Sequence, residues 1–314
     1  MLAGSRPTPE GYLMNRRKFL GTATTVTAAT LLANKFSWAA GTHKPGKIAV
    51  QLYTVRDEIA KDFSGSLARV AAAGYKEVEL AGFSFDNGEV RYFEKTPQEM
   101  RTALDHHGLV APSTHVNYAC LAVDSFPKVL EASKVLGHQY IINPWIEEDI
   151  RKQPGGWKQV TATFNRVGEA CQKAGVQFGY HNHWFEFLPV DGMLPYDLLL
   201  KECDPKLVKM EMDLCWITAA GADPVKYFDQ YPGRFPLVHV KDLKKLPSIS
   251  TGGAQNFGDT VDLTEVGSGI IDWKRICSSA DKAGIKIYIV EHDHPKSPFE
   301  SIKTSYDYLS KLTW

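Results

Sequence analysis

The stretch "WKQVTATFNRVGEACQKAGVQFGYHNH" (157–183) is a helix-like run, stopped at Gly175, that passes straight into a strand-like run of aromatic and apolar residues. Glycine after a periodic segment is where a left-handed residue ends a helix. The strand that follows carries His181 and His183 where its neighbours suit a core, and Glu186 follows shortly after.

The same alternation extends in both directions. Strand candidates are "KIAVQLY" (47–53), "EVELAG" (77–82), "LVAPSTHV" (109–116), "YIINPW" (140–145), "VQFGYHNH" (176–183), "VKMEMDLCW" (208–216), "FPLVHVKD" (235–242) and "KIYIVEHD" (286–293). Helix-like segments such as 64–74 and 96–108 lie between them; Thr96-Pro97 supplies a cap and a first-turn proline, and Gly74, Gly108 and Gly284 sit at stops. Eight strand–helix pairs with no second composition regime predict a single (β/α)8 TIM barrel over 46–314, close to the ~250 residues usual for that fold. An open doubly wound sheet fits less well, because the first strand leads into no GxGxxG turn. The Gly-, Ser- and Thr-rich segment 244–269 predicts a long loop of the kind that covers substrates, and its "GSG" (267–269) reads as a turn or a small anion cradle.

At the N-terminus, "NRRKFLGTATTVTAATLLANKFSWAA" (15–40) has paired arginines, a modest apolar stretch and small residues at its end, which is the layout of an export signal. Arg16-Arg17 resembles the twin-arginine signal, whose pathway carries folded proteins, so a periplasmic location is expected. The apolar stretch is too short and too rich in threonine for stable membrane insertion. Residues 1–40 hold five of the 36 basic and one of the 36 acidic residues, leaving 31 basic against 35 acidic residues in the remainder. A slightly anionic chain offers no field for nucleic acid. Five widely spaced cysteines without a CxxC pair argue against a disulfide framework and for buried free thiols.

The C-terminal ends of barrel strands meet at the mouth where chemistry occurs. Here they supply Glu79, His115, His181 with His183, Glu211 with Asp213, His239 with Lys241, and Glu291 with Asp293. A lone inward His or Glu is usually a hydrogen-bonded packing residue. Repeated on at least five strands, the same desolvation cost points to a shared cation. Mixed imidazole and carboxylate donors suit Mn, Zn, Co or Fe and suit calcium poorly.

The motifs "GYHNHWFEF" (179–187), "MEMDLCW" (210–216), "VHVKD" (238–242) and "YIVEHD" (288–293) resemble the xylose-isomerase-like sugar phosphate isomerase/epimerase superfamily. That resemblance implies four metal ligands on strands five to eight in the order Glu, Asp, His, Glu. By position they are His181, Asp213, His239 and Glu291, with His183 competing for the first place. Histidine at 181 departs from the pattern and leaves Glu291 alone of the two carboxylates that flank the substrate carbon in epimerases. The resemblance further implies proton transfer by Glu291 or His183, aided by Lys241 or Glu186. Glu79 and His115 would hold substrate hydroxyls or orient the ligands, and Trp145, Trp184 and Trp216 would offer flat faces to a sugar ring or simply pack the rim.

The expected function is a divalent-metal-dependent isomerase or epimerase acting on a sugar or sugar derivative through an enediolate. A metal-dependent lyase or dehydratase on a 3-keto-glycoside is the alternative, and a non-catalytic sugar-binding protein is a third reading. The partner expected is a small-molecule sugar, unphosphorylated because sugar phosphates are cytoplasmic; an apurinic-site endonuclease is disfavoured by charge. A homo-oligomer is left open.

Overall fold

The structure is a computed structural model that describes residues 43–190, 192–247 and 257–314. The export signal expected at 1–40 lies outside these residues, as does part of the loop expected at 244–269.

Eight parallel strands close into a barrel: β1 (Lys47–Gln51), β2 (Glu77–Leu80), β3 (Val110–His115), β4 (Tyr140–Asn143), β5 (Gln177–His181), β6 (Val208–Asp213), β7 (Leu237–Val240) and β8 (Ile287–Val290). Each pairs with its sequence neighbours, and β8 closes on β1 through Lys47↔Ile287 to Val50↔Val290. This is the (β/α)8 barrel that the alternation predicts, and each of the eight strands falls within its expected segment.

Local sequence accounts for the helices between the strands. In the helix Pro97–His106 the Thr96 side chain accepts from Glu99 N–H while the Glu99 carboxylate accepts from Thr96 N–H, satisfying two otherwise orphaned donors. The helix Gly156–Ala174 ends at Gly175, whose φ of 78° only glycine adopts without strain. That turn delivers the chain directly into β5.

Alternation along each strand sorts side chains into two cores. Outward-facing Phe178 and Tyr180 of β5 each lie 5.2 Å, centroid to centroid, from Phe164 of the preceding helix. Burying such a side chain contributes roughly 1.5–3 kcal/mol. Inside the barrel, Ala49, Tyr140, Ile142, Leu237, Ile287 and Ile289 form a separate apolar plug. Nearer the C-terminal ends of the strands the lumen turns polar, with Gln51, Glu79, Glu211 and His239 wholly buried. Apolar filling at one end thus concentrates the charged residues at the other.

Two additions depart from the simple repeat. A hairpin, Phe83–Asp86 with Glu89–Tyr92, follows β2, and Asp242–Leu243 pairs antiparallel with Leu263–Thr264 after β7. Buried Asp242 accepts from Leu243, Gly267 and Ile271 N–H and from the Trp273 indole. Gly267 N–H is therefore committed to an internal carboxylate, and "GSG" is a tied turn rather than an anion cradle. Among the described residues no helix is long and apolar enough to cross a membrane, and the five cysteines are free and buried.

Candidate metal centre

His181 and Asp213 are the last residues of β5 and β6, His239 lies within β7, and Glu291 follows β8. One donor atom from each of the four falls within 4.8 Å of the others, and all four residues are buried. Asp213 shows how local structure aims a ligand. Its Oδ1 caps the helix Leu214–Ala219, accepting from Cys215 N–H at 2.9 Å and Trp216 N–H at 2.7 Å. Oδ2 is left for the lumen, 3.7 Å from His181 Nε2. Asn182 fixes the strand end by accepting from Asp213 N–H at 3.1 Å.

A carboxylate shelf beneath the cluster sets the imidazole rings. His239 Nε2 lies 2.7 Å from Glu79 Oε2 and 3.2 Å from Glu211 Oε2, which turns Nδ1 toward Glu291 Oε2 at 2.9 Å. His181 Nδ1 lies 3.2 Å from the same Glu211 oxygen, so its Nε2 is the ring nitrogen turned to Asp213. His115 Nε2 completes the shelf at 2.9 Å from Glu211 and 3.0 Å from Glu79, and Gln51 Nε2 donates to Glu79 at 2.8 Å. Carboxylates behind ligand imidazoles fix ring orientation and raise basicity. Glu79 and His115 occupy that orienting position, and Glu79 is wholly buried.

Charge around the cluster is heavily compensated. Burial works against an imidazolium at His115, but Glu79 and Glu211 hold its pKa up to about 9. Burial likewise opposes charge on His239, yet Glu211 and Glu291 raise it well above the ordinary value. Burial, reinforced by the charge of His239, drives His181 well below its ordinary value and keeps it neutral, the form that binds metals. Burial pushes Asp213 up to about 6 despite Lys241. The Lys241 ammonium stands 2.6 Å from Glu291 Oε2, 3.0 Å from Asp213 Oδ2 and 3.3 Å from Asp293 Oδ1. Its approach to Asp213 is an ion pair without hydrogen-bond alignment, so Oδ2 has no hydrogen-bonding partner.

The donor set fits a divalent ion. A cation with bonds of about 2.1 Å brings opposite ligands to about 4.2 Å, within small side-chain adjustments of the spacing found. Two imidazoles and two carboxylates, one with an unpartnered buried oxygen, match a borderline metal.

Two expected site residues lie outside the four-donor group. β5 ends at His181, so the two-residue parity argument fails for His183, which lies in the following turn with its ring stacked against Phe185 and Trp216. It lines the cavity but joins neither the four-donor group nor the second set of clustered donors, His115, His181, Glu211 and His239. Glu186 does not reach the mouth. The single helical turn Phe185–Phe187 rotates it inward, where it accepts from Tyr180 Oη–H and from His183 N–H at 2.9 Å. Burial raises its pKa to about 7; its place is as an anchor for the turn carrying His183. Trp145, Trp184 and Trp216 line the cavity. Glu211, Gln51 and Asn182 received no role from the sequence, although Glu211 shares strand parity with Asp213.

A TIM-barrel enzyme fold with a buried His/Asp/Glu cluster at its mouth is the class this geometry defines. The profile of the xylose isomerase-like TIM barrel family matches residues 67–312, and the chain belongs to that family. It is 26% identical over 165 residues to an inosose dehydratase of Lacticaseibacillus casei, a match covering 49% of this chain and 53% of that protein. The chain thus spans about half the length of the curated relatives it matches. A sugar phosphate isomerase/epimerase from Parabacteroides distasonis superposes with a TM-score of 0.68 at 28% identity, covering 86% of this chain and 95% of that one. A xylose isomerase-like TIM barrel protein from Mycobacterium smegmatis in complex with magnesium gives 0.63 at 13% identity over 85% and 96% of the two chains, a likeness of fold alone.

Proposed function

We propose that this chain is a divalent-metal-dependent lyase acting on a keto-sugar such as a 3-keto-glycoside. The observation that carries the reading is the residue at the β5 ligand position: His181, an imidazole, stands where an epimerase pairs a second carboxylate with Glu291. Without two carboxylates on opposite faces of one carbon, symmetric exchange of a proton lacks its machinery, whereas elimination needs only one base and a leaving group.

His181, Asp213, His239 and Glu291 would hold the ion, which would supply Lewis-acid polarisation of a carbonyl and its neighbouring hydroxyl and so acidify the C–H of the hydroxyl-bearing carbon. His183 is suited to accept that proton. Burial, with the Lys241 charge, keeps its ring neutral, and it lines the cavity beside His181 with ring centroids 5.0 Å apart. Lys241, held against Glu291 and Asp213, would offset negative charge developing on a nearby oxygen. In a 3-keto-glycoside the C2–H bond breaks, its electrons form the C1=C2 double bond, the C1–O bond breaks, and the proton taken by His183 passes to the departing oxygen. The relative named for dehydrating inosose supports elimination next to a ketone.

The second reading keeps the same enediolate and returns the proton to carbon, an isomerase or epimerase; the name of the Parabacteroides barrel supports it. Metal-loaded protein incubated in D2O with 3-keto-glycosides and with ketohexoses separates the two. Lysis predicts an unsaturated keto-sugar and free aglycone, lost on chelation. Deuterium in the recovered sugar with no unsaturated product overturns the lyase in favour of the isomerase. Saccharide binding with neither outcome leaves a non-catalytic binding protein. The twin-arginine-like stretch supports a periplasmic site of action, which cell fractionation tests.

A further inference from the structure

The cluster occupies only part of the space at the barrel mouth. The cavity that opens onto it, lined by His181 and Glu291 of the four, measures about 1220 Å³, more than the roughly 300–1,000 Å³ typical of small-molecule sites. Two unlike walls rise from the floor formed by His115, His181 and Glu291. Ser297, Glu300, Ser301 and Thr304, spaced to share one face of the helix Pro298–Lys311, line one side with hydroxyls and a carboxylate. The other is aromatic.

On that side Trp184 is the central ring, 5.0 Å from Trp216 and 6.5 Å from Trp145 between centroids. Phe257 packs against it at 6.0 Å. Gly258 lies so close that a Cβ there would come within 2.5 Å of the Trp184 ring. The absent side chain lets the loop lie against the indole while Trp184 still lines the cavity. Neither Trp184 nor Trp145 belongs to the four-donor group, and nothing in the proton transfer uses them. Trp216 is buried, with the Lys241 ammonium over its ring at 5.3 Å and His183 stacked on it at 6.0 Å, so it backs the wall while Trp145 and Trp184 offer the surface. A flat apolar surface in a cavity with a polar side matches a sugar ring, which has an apolar C–H face and a hydroxyl rim.

We propose that the Trp145–Trp184 wall, backed by Trp216, is a subsite for a second sugar ring, joined glycosidically to the ring that sits at the cluster, so that the substrate class is disaccharide-sized. This rests on the keto-glycoside reading above for the identity of the reacting ring. The subsite itself is a binding surface and is tested without turnover.

The test uses the full chain, metal-loaded, with cellobiose and methyl β-glucoside as probes and saturation-transfer NMR as readout. Cellobiose binds at least about tenfold more tightly than the methyl glucoside, with transfer to both of its rings. Trp184→Ala removes that difference, and Trp184→Phe, which keeps a flat face, restores most of it. Gly258→Ala, which forces Trp184 to move, narrows the difference while near-ultraviolet circular dichroism shows the fold intact. Equal affinity for the two probes, transfer confined to one ring, or failure of cellobiose to bind overturns the subsite. An isomerase outcome in the D2O experiment with a cellobiose preference intact would overturn the lyase reading and leave the subsite standing.

Discussion

His239 Nε2 lies 2.7 Å from Glu79 Oε2, a contact that crosses the barrel lumen from β7 to β2 and commits one face of the ring to a buried carboxylate. The opposite nitrogen is thereby presented to the four-donor group. Glu79→Gln keeps the shape and removes the charge that fixes this orientation. Divalent-metal affinity should fall by about 10–100-fold, as substitutions behind metal-bound histidines do. Competition with a metallochromic chelator measures it; unchanged affinity would show that Glu79 does not orient the ring.

Asp213 serves two purposes through its two oxygens, and two variants separate them. Asn at 213 retains an oxygen for the Cys215 and Trp216 N–H groups but lacks the charge directed at the cluster. Ala loses both. Both variants should lose stoichiometric metal by elemental analysis. Measured without metal, Asp213→Ala should be the less stable of the two by about 1 kcal/mol, the usual contribution of an N-cap. Equal stability in denaturant titrations would remove the cap from this account.

The legible part of this protein is what repeats. Eight β-branched or aromatic runs, alternating with helix-like segments punctuated by glycine or proline, specify a barrel despite the hairpin inserted after β2; position at strand ends gathers ten polar residues, and the family resemblance singles out His181, Asp213, His239 and Glu291 among them. Depth along a strand is what spacing cannot supply. Glu211 and Asp213 share a face, but the register His181↔Glu211 and Asp213↔His239 puts one under the rings and the other at the mouth. Gln51 gave a faint signal, as the amide in an apolar first strand, yet its partner Glu79 is 28 residues away and only barrel closure brings them together. The ligand alternative at His183 and the mouth position expected of Glu186 fail for a local reason. Two-residue parity holds only while the strand lasts, and β5 stops at His181.

His138, outside the four-donor group, gives a further pH dependence. It is buried beside Ser133, with its Nδ1 3.2 Å from Ser133 Oγ, and packs edge-on to Tyr92. Burial pulls its pKa down to about 3 against the ordinary 6.5, so the folded protein keeps it neutral while the unfolded chain takes up a proton. Its contribution is full above about pH 6.5 and is lost as pH falls toward 3. At pH 5 the loss is about 2 kcal/mol, at 1.36 kcal/mol per pH unit. His138→Gln retains a hydrogen-bonding side chain and does not titrate. Between pH 7 and pH 5 its urea midpoint should shift less than that of the parent protein; parallel shifts would mean that His138 titrates normally in the fold.

Lys241 provides the cationic charge that the cluster needs when no metal is present. Its ammonium is 1% exposed and touches Glu291, Asp213 and Asp293, so replacing it with methionine leaves buried carboxylates without their counter-charge. Breaking such a pair costs about 3–5 kcal/mol. A divalent ion bound by Asp213 and Glu291 offsets much of that cost, because it brings two positive charges to the same oxygens. Lys241→Met should therefore be strongly destabilised in chelator and much less so with saturating metal, and the gain in melting temperature on adding metal should be larger for the variant than for the parent protein. Calorimetric melts of both proteins with and without metal read this difference directly. If the two gain equally, the ammonium and the ion act at separate places, and Asp213 and Glu291 do not share a cation in the way their geometry indicates.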